Sequence, residues 1–347
     1  MPQDHRKPAT EWPLAQGKAV WMGRALSAAA PLQLDDVQAR ELSRLARRED
    51  IRVEDIARET LRSALPTLAP LMARVAAELA TGRGICVVRG LPVEELTDAQ
   101  CARAFWALGA FIGQGVAQSS AGDLIGFVRD RGEGRQENRG YQSRAALGFH
   151  VDLSDVAGLL CVRRAKQGGE SLAASSLAIY NEMRASHPEY LQALAPGFHW
   201  SRNGEEGPGE APYSPVLPVF TVVDGVVSCR YNASMMRRGT QQAGLALTPL
   251  QDRALSFIEE TARRPEFHHA QYMEPGDAQF FNNFTVLHSR TAFENDAAPG
   301  KDRLVLRLWL RVDGLRPFGT CEALMRDAPL VYGLQGRDPI ALKGGSR

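Results

Sequence analysis

Residues 303–311 read RLVLRLWLR, an unbroken alternation of leucines with arginine, valine and tryptophan. Successive side chains of a β-strand point to opposite faces, so the alternation predicts a strand with its leucines on one face. The other face carries Arg303, Val305, Arg307, Trp309 and Arg311. An ordinary half-buried strand with its charges in water explains the leucines equally well. Arginines around a tryptophan nevertheless also suit the lining of an anion-binding site, because a guanidinium binds a carboxylate through two parallel hydrogen bonds.

Further strand-like runs precede this stretch from residue 84 onward. They lie at Ile85–Arg89, Leu124–Val128, Gly158–Val162, Ser171–Ser175, Val216–Val223, Val226–Tyr231 and Gln279–Leu287. Many short strands with few helices predict a mainly β fold with some α, built as a sandwich or barrel. Residues 35–79 instead repeat apolar positions at helical spacing. We therefore expect a helical N-terminal extension, residues 1–83, that packs as a layer on a core domain of residues 84–347.

Two helical segments and one long loop interrupt the strands of the core domain. The helices are predicted at Leu177–Leu194 and from Thr248 to about Arg264, and another helix is expected to begin after Thr97. Residues 201–214 contain three glycines and two prolines and are predicted to form a mobile loop, a candidate lid over the site.

Charge and composition exclude several functional classes. The chain has 41 Lys and Arg against 40 Asp and Glu, so it has no overall charge that favours nucleic acid or an anionic membrane. Its five cysteines form no CxxC pair, which favours reduced thiols and a cytoplasmic location. No apolar run reaches the roughly 20 residues of a membrane span. We expect a small-molecule partner, and the oligomeric state is left open.

The tetrapeptide FHVD at residues 149–152 contains a candidate metal-binding pair. Positions i and i+2 of a strand share one face, so His150 and Asp152 can bind one ion. An imidazole and a carboxylate suit Fe(II), Mn(II) or Zn(II). The alternative is a buried histidine that is hydrogen-bonded to its neighbours, with Asp152 capping a turn.

A third ligand is needed, and His288 is the best placed of the five downstream histidines. It follows a turn signal at Glu274–Asp277 and the apolar run Ala278–Leu287, so it is expected at the end of a long strand. Two ligands from one strand and a distant histidine from another form the 2-His-1-carboxylate triad of non-haem iron sites. The remaining candidates, expected at the surface or in the core, are His187, His199, His268 and His269.

Four motifs in combination resemble the TauD/TfdA group of Fe(II)/2-oxoglutarate-dependent oxygenases and its clavaminate-synthase-like relatives. They are GFHVD at 148–152, GGES at 168–171 followed by AASS at 173–176, FNNFTVLHSRTAF at 281–293, and RLVLRLWLR at 303–311. The likeness runs from about Gly84 to Val312. It implies a double-stranded β-helix (jelly-roll) core and a dioxygenase that uses Fe(II), 2-oxoglutarate and O₂.

The resemblance also implies roles for individual residues. Iron is bound by the residues that match His150, Asp152 and His288, and Arg303 pairs with the distal carboxylate of 2-oxoglutarate. Arg307 is placed near the carboxylate of the substrate or the co-substrate. Asp152 retains the carboxylate that related halogenases lack, which disfavours halogenation.

One position departs from the pattern of the family. Relatives place a threonine after the Gly-Gly motif to hydrogen-bond 2-oxoglutarate, and the matching residue is assigned here as Ala174. We expect Ser175 or Ser171 to provide the hydroxyl instead. Substrate contacts are predicted in the polar segment before the first ligand, from Tyr141, Gln142 and Arg144.

The resemblance implies hydroxylation, by default, of an unactivated C–H bond, with release of succinate and CO₂. Arg144, Arg307 and Arg311 indicate a small anionic or amino-acid-like substrate. Two alternatives use the same three ligands. A zinc hydrolase would activate a bound water as nucleophile, without need of Arg303. A non-catalytic metal-binding jelly-roll protein would sense a small acid and form no succinate.

Overall fold

The strands of this chain form two main sheets that enclose the predicted ligands. The computed structural model describes residues 12–27, 30–49, 58–119, 122–130, 143–296, 298 and 300–317. Its strands are β1 (Leu32–Gln33), β2 (Ile85–Arg89), β3 (Gln114–Gly115), β4 (Ile125–Val128), β5 (Leu147–His150), β6 (Val156–Arg163), β7 (Gln167–Gly168), β8 (Ser171–Ser175), β9 (Phe220–Val223), β10 (Val226–Cys229), β11 (His268–Gln271), β12 (Ala278–Asn282), β13 (Val286–Arg290), β14 (Phe293–Glu294) and β15 (Leu304–Arg311). Its α-helices are α1 (Gly23–Ser27), α2 (Asp36–Ala46), α3 (Arg58–Ala64), α4 (Ala69–Thr81), α5 (Asp98–Ile112), α6 (Ser176–Ser186), α7 (Pro188–Leu194), α8 (Ala233–Gln242) and α9 (Pro249–Arg263).

The larger sheet has the strand order β1-β2-β12-β6-β15-β3, with β4 also paired to β15. The smaller sheet has the order β11-β8-β13-β5. All of these pairings are antiparallel except that of β1 with β2. Two antiparallel sheets with long-range connections are the arrangement that the predicted jelly-roll core requires.

Each sheet is covered on its outer face by helices. Helices α4 and α5 cover the larger sheet and α2 packs on α5. Phe105 of α5 packs on Phe280 of β12 with ring centroids 5.8 Å apart. Helices α6 and α9 cover the smaller sheet around the fully buried Trp200 and Tyr231. A smaller apolar cluster between the sheets includes Trp309. The predicted helical layer is therefore present, and β1 adds an edge strand from residues 32–33 to the larger sheet.

Side-chain caps fix where the long helices begin. Thr97 and Gln100 form a reciprocal capping box that starts α5, as the sequence predicts, and Thr248 and Gln251 do the same for α9. These bonds satisfy backbone N–H groups that have no partner inside the helix. No helix within the described ranges is both long and apolar enough to cross a lipid bilayer.

The predicted long strand at Gln279–Leu287 is wrong, because the chain turns between β12 and β13. The Asn282 carboxamide accepts a hydrogen bond from the amide of Phe284, and its Nδ2 donates to the Leu79 carbonyl. Local side-chain bonds of this kind build a turn that an apolar pattern conceals. His288 consequently lies in the middle of β13 rather than at the end of a strand.

Other boundaries also differ from the sequence prediction. The helix expected at Leu177–Leu194 is two helices, broken at His187-Pro188, since proline disfavours helical backbone at the residue before it. The strand expected at Val216–Val223 begins only at Phe220. Helix α8 and strand β11 were not predicted, and β11 contains His268 and His269.

Candidate active site

The structure brings the three predicted metal ligands together between the two sheets. His150 ends β5, Asp152 follows two residues later, and His288 lies on the neighbouring strand β13. His288 pairs in register with His150, and the two imidazole centroids are 4.5 Å apart. One ligand atom from each of the three side chains lies within 4.8 Å of the others. This arrangement is compact enough for one metal ion.

Neighbouring elements hold the ligand segment in place. The amide of Phe149 donates to Glu259 of α9 at 2.9 Å, which anchors β5 on its outer side. The side chain of Asn283 accepts from the Asp152 amide and donates to the carbonyl of Ser154. The FNNF turn therefore positions Asp152 as well as the strand that carries His288.

The donor atoms fit a divalent metal ion. Nδ1 of His150 lies 2.8 Å from the Gly148 carbonyl, which leaves Nε2 for a ligand, as is usual in metal sites. Nε2 of His288 lies 3.7 Å from Oδ2 of Asp152, and this buried oxygen has no hydrogen-bond partner within the part of the chain that the structure describes. A bound cation would satisfy the oxygen, and two imidazoles with one carboxylate are the donor set of non-haem iron.

The ionisation states of the site also suit metal binding. Burial lowers the pKa of His288 to about 3, and His150 acts in the same direction. Burial alone would raise the pKa of Asp152, but Arg307, with both histidines, outweighs it and holds the pKa below its ordinary value. A neutral imidazole and an ionised carboxylate are the forms that bind metals.

Strand β15 brings its arginine face into this site. All residues from Leu304 to Leu310 are buried, so the strand is not half-exposed to solvent. Arg303 is 8% exposed and stacks 4.9 Å from the Phe293 ring centroid, and its Nη1 has no hydrogen-bond partner among the residues that the structure describes. Burial lowers the pKa of this guanidinium. Gly169 leaves room beside it, because a Cβ there would lie 3.2 Å from Nε of Arg303.

Arg307 lies between the metal ligands and a buried glutamine. Its Nε donates to Oε1 of Gln118 at 2.7 Å, and its Nη1 lies 3.4 Å from Oδ1 of Asp152. Gln118 in turn donates to the backbone carbonyl of Arg307. Arg307 lines the cavity, but it also neutralises Asp152, a role that the sequence did not predict.

Ser175 does not face the site, so its predicted contact with 2-oxoglutarate requires correction. Its hydroxyl donates to the Ala19 carbonyl at 2.6 Å and accepts from the Ala178 amide as the N-cap of α6. Ala174 is buried in the core under the helices. Ser171, the other predicted alternative, lines the cavity and donates to Gln279 at 2.7 Å.

Of the three substrate contacts predicted before the first metal ligand, Arg144 lies among the described residues. Tyr141 and Gln142 lie outside the described residues. Arg144 is half-exposed, forms an ion pair of 3.0 Å with Asp130, and is not among the described residues that line the cavity. The structure therefore does not bring Arg144 to the metal ligands.

A cavity of about 1030 Å³ opens over the metal ligands. Its wall includes residues of the loop that was predicted as a lid, and also residues of helices α8 and α9, which sequence reasoning did not assign to the site. The charged ones are Arg202, Glu205, Arg237, Arg238, Glu259 and Glu260. Arg290 of β13 was also missed, although its position two residues after His288 places both on one strand face. Burial, followed by Arg303, lowers the pKa of Arg290 to about 10.

Comparisons with known proteins agree with this geometry. Residues 29–309 match the family described as "Taurine catabolism dioxygenase TauD, TfdA family". FR-33289 synthase of Streptomyces rubellomurinus (strain ATCC 31215) is 34% identical over 326 residues, which cover 91% of this chain and 94% of the relative. A uridine-5′-phosphate dioxygenase of Amycolatopsis sp is 29% identical over 187 residues, 52% of this chain and 66% of that protein.

A solved structure shares the fold. Asparagine oxygenase, in complex with Fe(II), 2S,3S-3-hydroxyasparagine and succinate, superposes with a TM-score of 0.63 at 21% identity, over 81% of this chain and 94% of that one. Fold and site thus define an Fe(II)/2-oxoglutarate-dependent dioxygenase. The chain belongs to the TauD/TfdA family. A family of dioxygenases argues against both the zinc hydrolase and the non-catalytic sensor.

Proposed function

We propose that this dioxygenase hydroxylates an unactivated C–H bond of a small anionic or amino-acid-like molecule, with release of succinate and CO₂. The observation that carries the proposal is the His150–Asp152–His288 cluster, which lines the same cavity as Arg303, whose buried Nη1 has no hydrogen-bond partner among the described residues. An iron site without an anchor for the co-substrate would not need a buried guanidinium with a free hydrogen-bond donor in the same cavity.

The residues of this chain have separable roles in that reaction. His150, Asp152 and His288 would hold Fe(II), which supplies the oxidising power together with 2-oxoglutarate and O₂. Arg303 would bind the distal carboxylate, and Ser171, which lines the same cavity, would add a hydroxyl. Arg307 would keep Asp152 ionised and remain close to the carboxylates of both ligands. The buried walls would limit access of water to the reacting atoms.

The charges of the cavity wall support an anionic substrate. Among the described residues, six arginines line it (Arg202, Arg237, Arg238, Arg290, Arg303 and Arg307), against four acids (Asp152, Glu205, Glu259 and Glu260). The first turn of α8 also lines the cavity, and the amino end of a helix favours negative groups. The name of one relative, uridine-5′-phosphate dioxygenase, contains a phosphate ester, and a structural neighbour, asparagine oxygenase, is bound to a hydroxylated amino acid, which supports this substrate class.

The loop at 201–214 is proposed as a wall that closes over the substrate. Residues 202–205 line the cavity, and Ser201 and Tyr213 pair at the base of the loop. Arg202, whose side chain is 9% exposed, bonds Glu210 at 3.0 Å across the loop. These bonds support an ordered wall that a substrate can contact.

We also propose a boundary between residues 83 and 84, which separates the N-terminal extension from the core domain, and a cytoplasmic location. The division is supported by the change from helices to strands near Gly84. The location is supported by four free buried thiols, Cys86, Cys101, Cys161 and Cys229, while Cys321 lies outside the described residues.

A substrate panel tests the proposed function. Iron-loaded protein is supplied in air with 2-oxoglutarate and matched sets of amino acids, sulfonates, phosphate esters and their uncharged analogues, and succinate is measured. We expect one anionic or zwitterionic class to stimulate succinate release, and the His288→Ala variant to show none. Stimulation only by uncharged analogues would contradict the substrate class.

A further inference from the structure

The cavity contains a second arginine, beside Phe293, to which the proposed function gives no individual role. Arg290 lies on β13 two residues after His288, so its side chain shares a strand face with the metal ligand. The residue is 6% exposed and lines the cavity. A buried arginine in this position requires a partner of opposite charge or a full set of acceptors.

The protein satisfies only part of the Arg290 guanidinium. Nη2 donates to the backbone carbonyls of Ser143 and Ala145, with a distance of 2.8 Å to Ser143. Nε and Nη1 are buried and have no hydrogen-bond partner among the described residues. An unsatisfied donor is most costly when it belongs to a charged group. Two such donors at a cavity wall indicate that a ligand accepts their hydrogen bonds.

Arg290 and Arg303 lie against the same aromatic ring. Their guanidinium carbons are 4.7 Å and 4.9 Å from the centroid of Phe293. Neither forms an ion pair with a carboxylate in the part of the chain that the structure describes. Two like charges in a buried recess repel each other, so an anion between them removes repulsion as well as forming hydrogen bonds.

We propose that Arg290 is a second binding residue for the distal carboxylate of 2-oxoglutarate, which is then held by two guanidinium groups. The inference rests on the proposed function, because it places the co-substrate at Arg303. The bonds from Nη2 to Ser143 and Ala145 fix the guanidinium before the ligand arrives. Arg290 thereby also connects the co-substrate to the segment that leads into β5 and His150.

A pair of matched ligands separates binding from a structural role. 2-Oxopentanoate has the chelating end of 2-oxoglutarate but a methyl group in place of the distal carboxylate. Dissociation constants of both ligands are measured without oxygen on Fe(II)-loaded protein, by calorimetry or by the visible charge-transfer band. We expect Arg290→Met to reduce the preference for 2-oxoglutarate about 10-fold or more, since each charged hydrogen bond contributes roughly that factor.

Three further variants complete the test. Arg290→Gln keeps a donor for the Ser143 and Ala145 carbonyls without the charge. This variant tests the role of the charge if Arg290→Met does not fold. We expect the same loss of preference in Arg290→Gln. Arg303→Met should lose preference too. Arg164→Met is the control, because Arg164 lies on the surface in an ion pair with Glu274 and should keep the wild-type preference.

Equal weakening of both ligands in the Arg290 variants would assign Arg290 a structural role and overturn the inference. An unchanged affinity for 2-oxoglutarate would overturn it as well. Both outcomes leave the proposed function intact, provided that Arg303→Met loses the preference. A wild-type protein that binds neither ligand when loaded with iron would instead contradict the proposed function itself.

Discussion

His150 and His288 are register partners on adjacent antiparallel strands, with imidazole centroids 4.5 Å apart. Strand side chains alternate between faces, so a slip of one residue between β5 and β13 would turn one imidazole away from the other. Two hydrogen bonds outside the site hold these strands in place. The Phe149 amide donates to the Glu259 carboxylate, and the Ser289 hydroxyl donates to the Leu147 carbonyl. The metal site therefore depends on how the smaller sheet is assembled.

Replacement of His288 by alanine should abolish iron binding. The variant leaves one imidazole and one carboxylate, too few protein ligands for a stable ferrous site. Iron content after anaerobic loading and desalting measures the effect. His187→Ala is the control, because His187 lies at a helix junction with Glu189 as its partner and should leave iron content unchanged. Normal iron retention by the His288 variant would show that the ion binds elsewhere.

Arg303→Met should weaken 2-oxoglutarate binding without loss of iron. A charged hydrogen bond to a carboxylate contributes about 1.5–3 kcal/mol, which corresponds to roughly 10- to 100-fold in affinity. The dissociation constant is read from anaerobic titration, and iron content is measured on the same sample. An unchanged dissociation constant would show that Arg303 does not bind 2-oxoglutarate.

The metal-free protein should lose stability as the pH falls from about 6.5 to 5. The pKa of His288 is lowered by burial to about 3 in the folded chain, from an ordinary value of 6.5. Below pH 6.5 the unfolded chain therefore binds a proton that the folded chain does not, and the free energy of unfolding decreases by up to about 1.4 kcal/mol per pH unit. Urea unfolding at several pH values tests this, and His288→Asn should show a shallower slope. If the free energy of unfolding fell equally steeply with pH in both proteins, the pH dependence would not come from His288.

Phe280→Ala should destabilise the fold by about 3–5 kcal/mol, as expected for a fully buried phenylalanine. Phe280 is 0% exposed and packs between β12 and α5 against Phe105. Leu245→Ala is the comparison, because Leu245 is 57% exposed and should change stability by less than about 0.5 kcal/mol. Urea unfolding measures both, and similar values for the two variants would argue against this core.

Strict patterns in the sequence predicted the parts of the fold that carry the site. The alternation at 303–311 predicted β15, and the Thr97 capping signal predicted the start of α5. The two-residue spacing of His150 and Asp152 and the apolar run before His288 identified three residues that the structure places together. Alternation alone did not decide whether the arginine face is buried, because burial depends on the opposing sheet.

The remaining features depend on contacts between distant residues. The turn at Asn282 is held in place by a hydrogen bond to the Leu79 carbonyl, 203 positions away, so the apolar run alone suggested one strand where there are two. Ser175 was assigned to the co-substrate, but Ala19 and the first turn of α6 use its hydroxyl. Arg290 could have been found, since it shares the alternation of β13 with His288.

Anaerobic addition of 2-oxoglutarate to the Fe(II)-loaded protein tests the central claim most directly. Chelation of ferrous iron by the 2-oxo acid should produce a weak visible charge-transfer band that saturates with added ligand. The band should be absent in Asp152→Ala and His288→Ala protein treated in the same way. A wild-type protein that retains iron yet develops no band, or variants that develop it equally, would contradict a shared site for iron and 2-oxoglutarate at these residues.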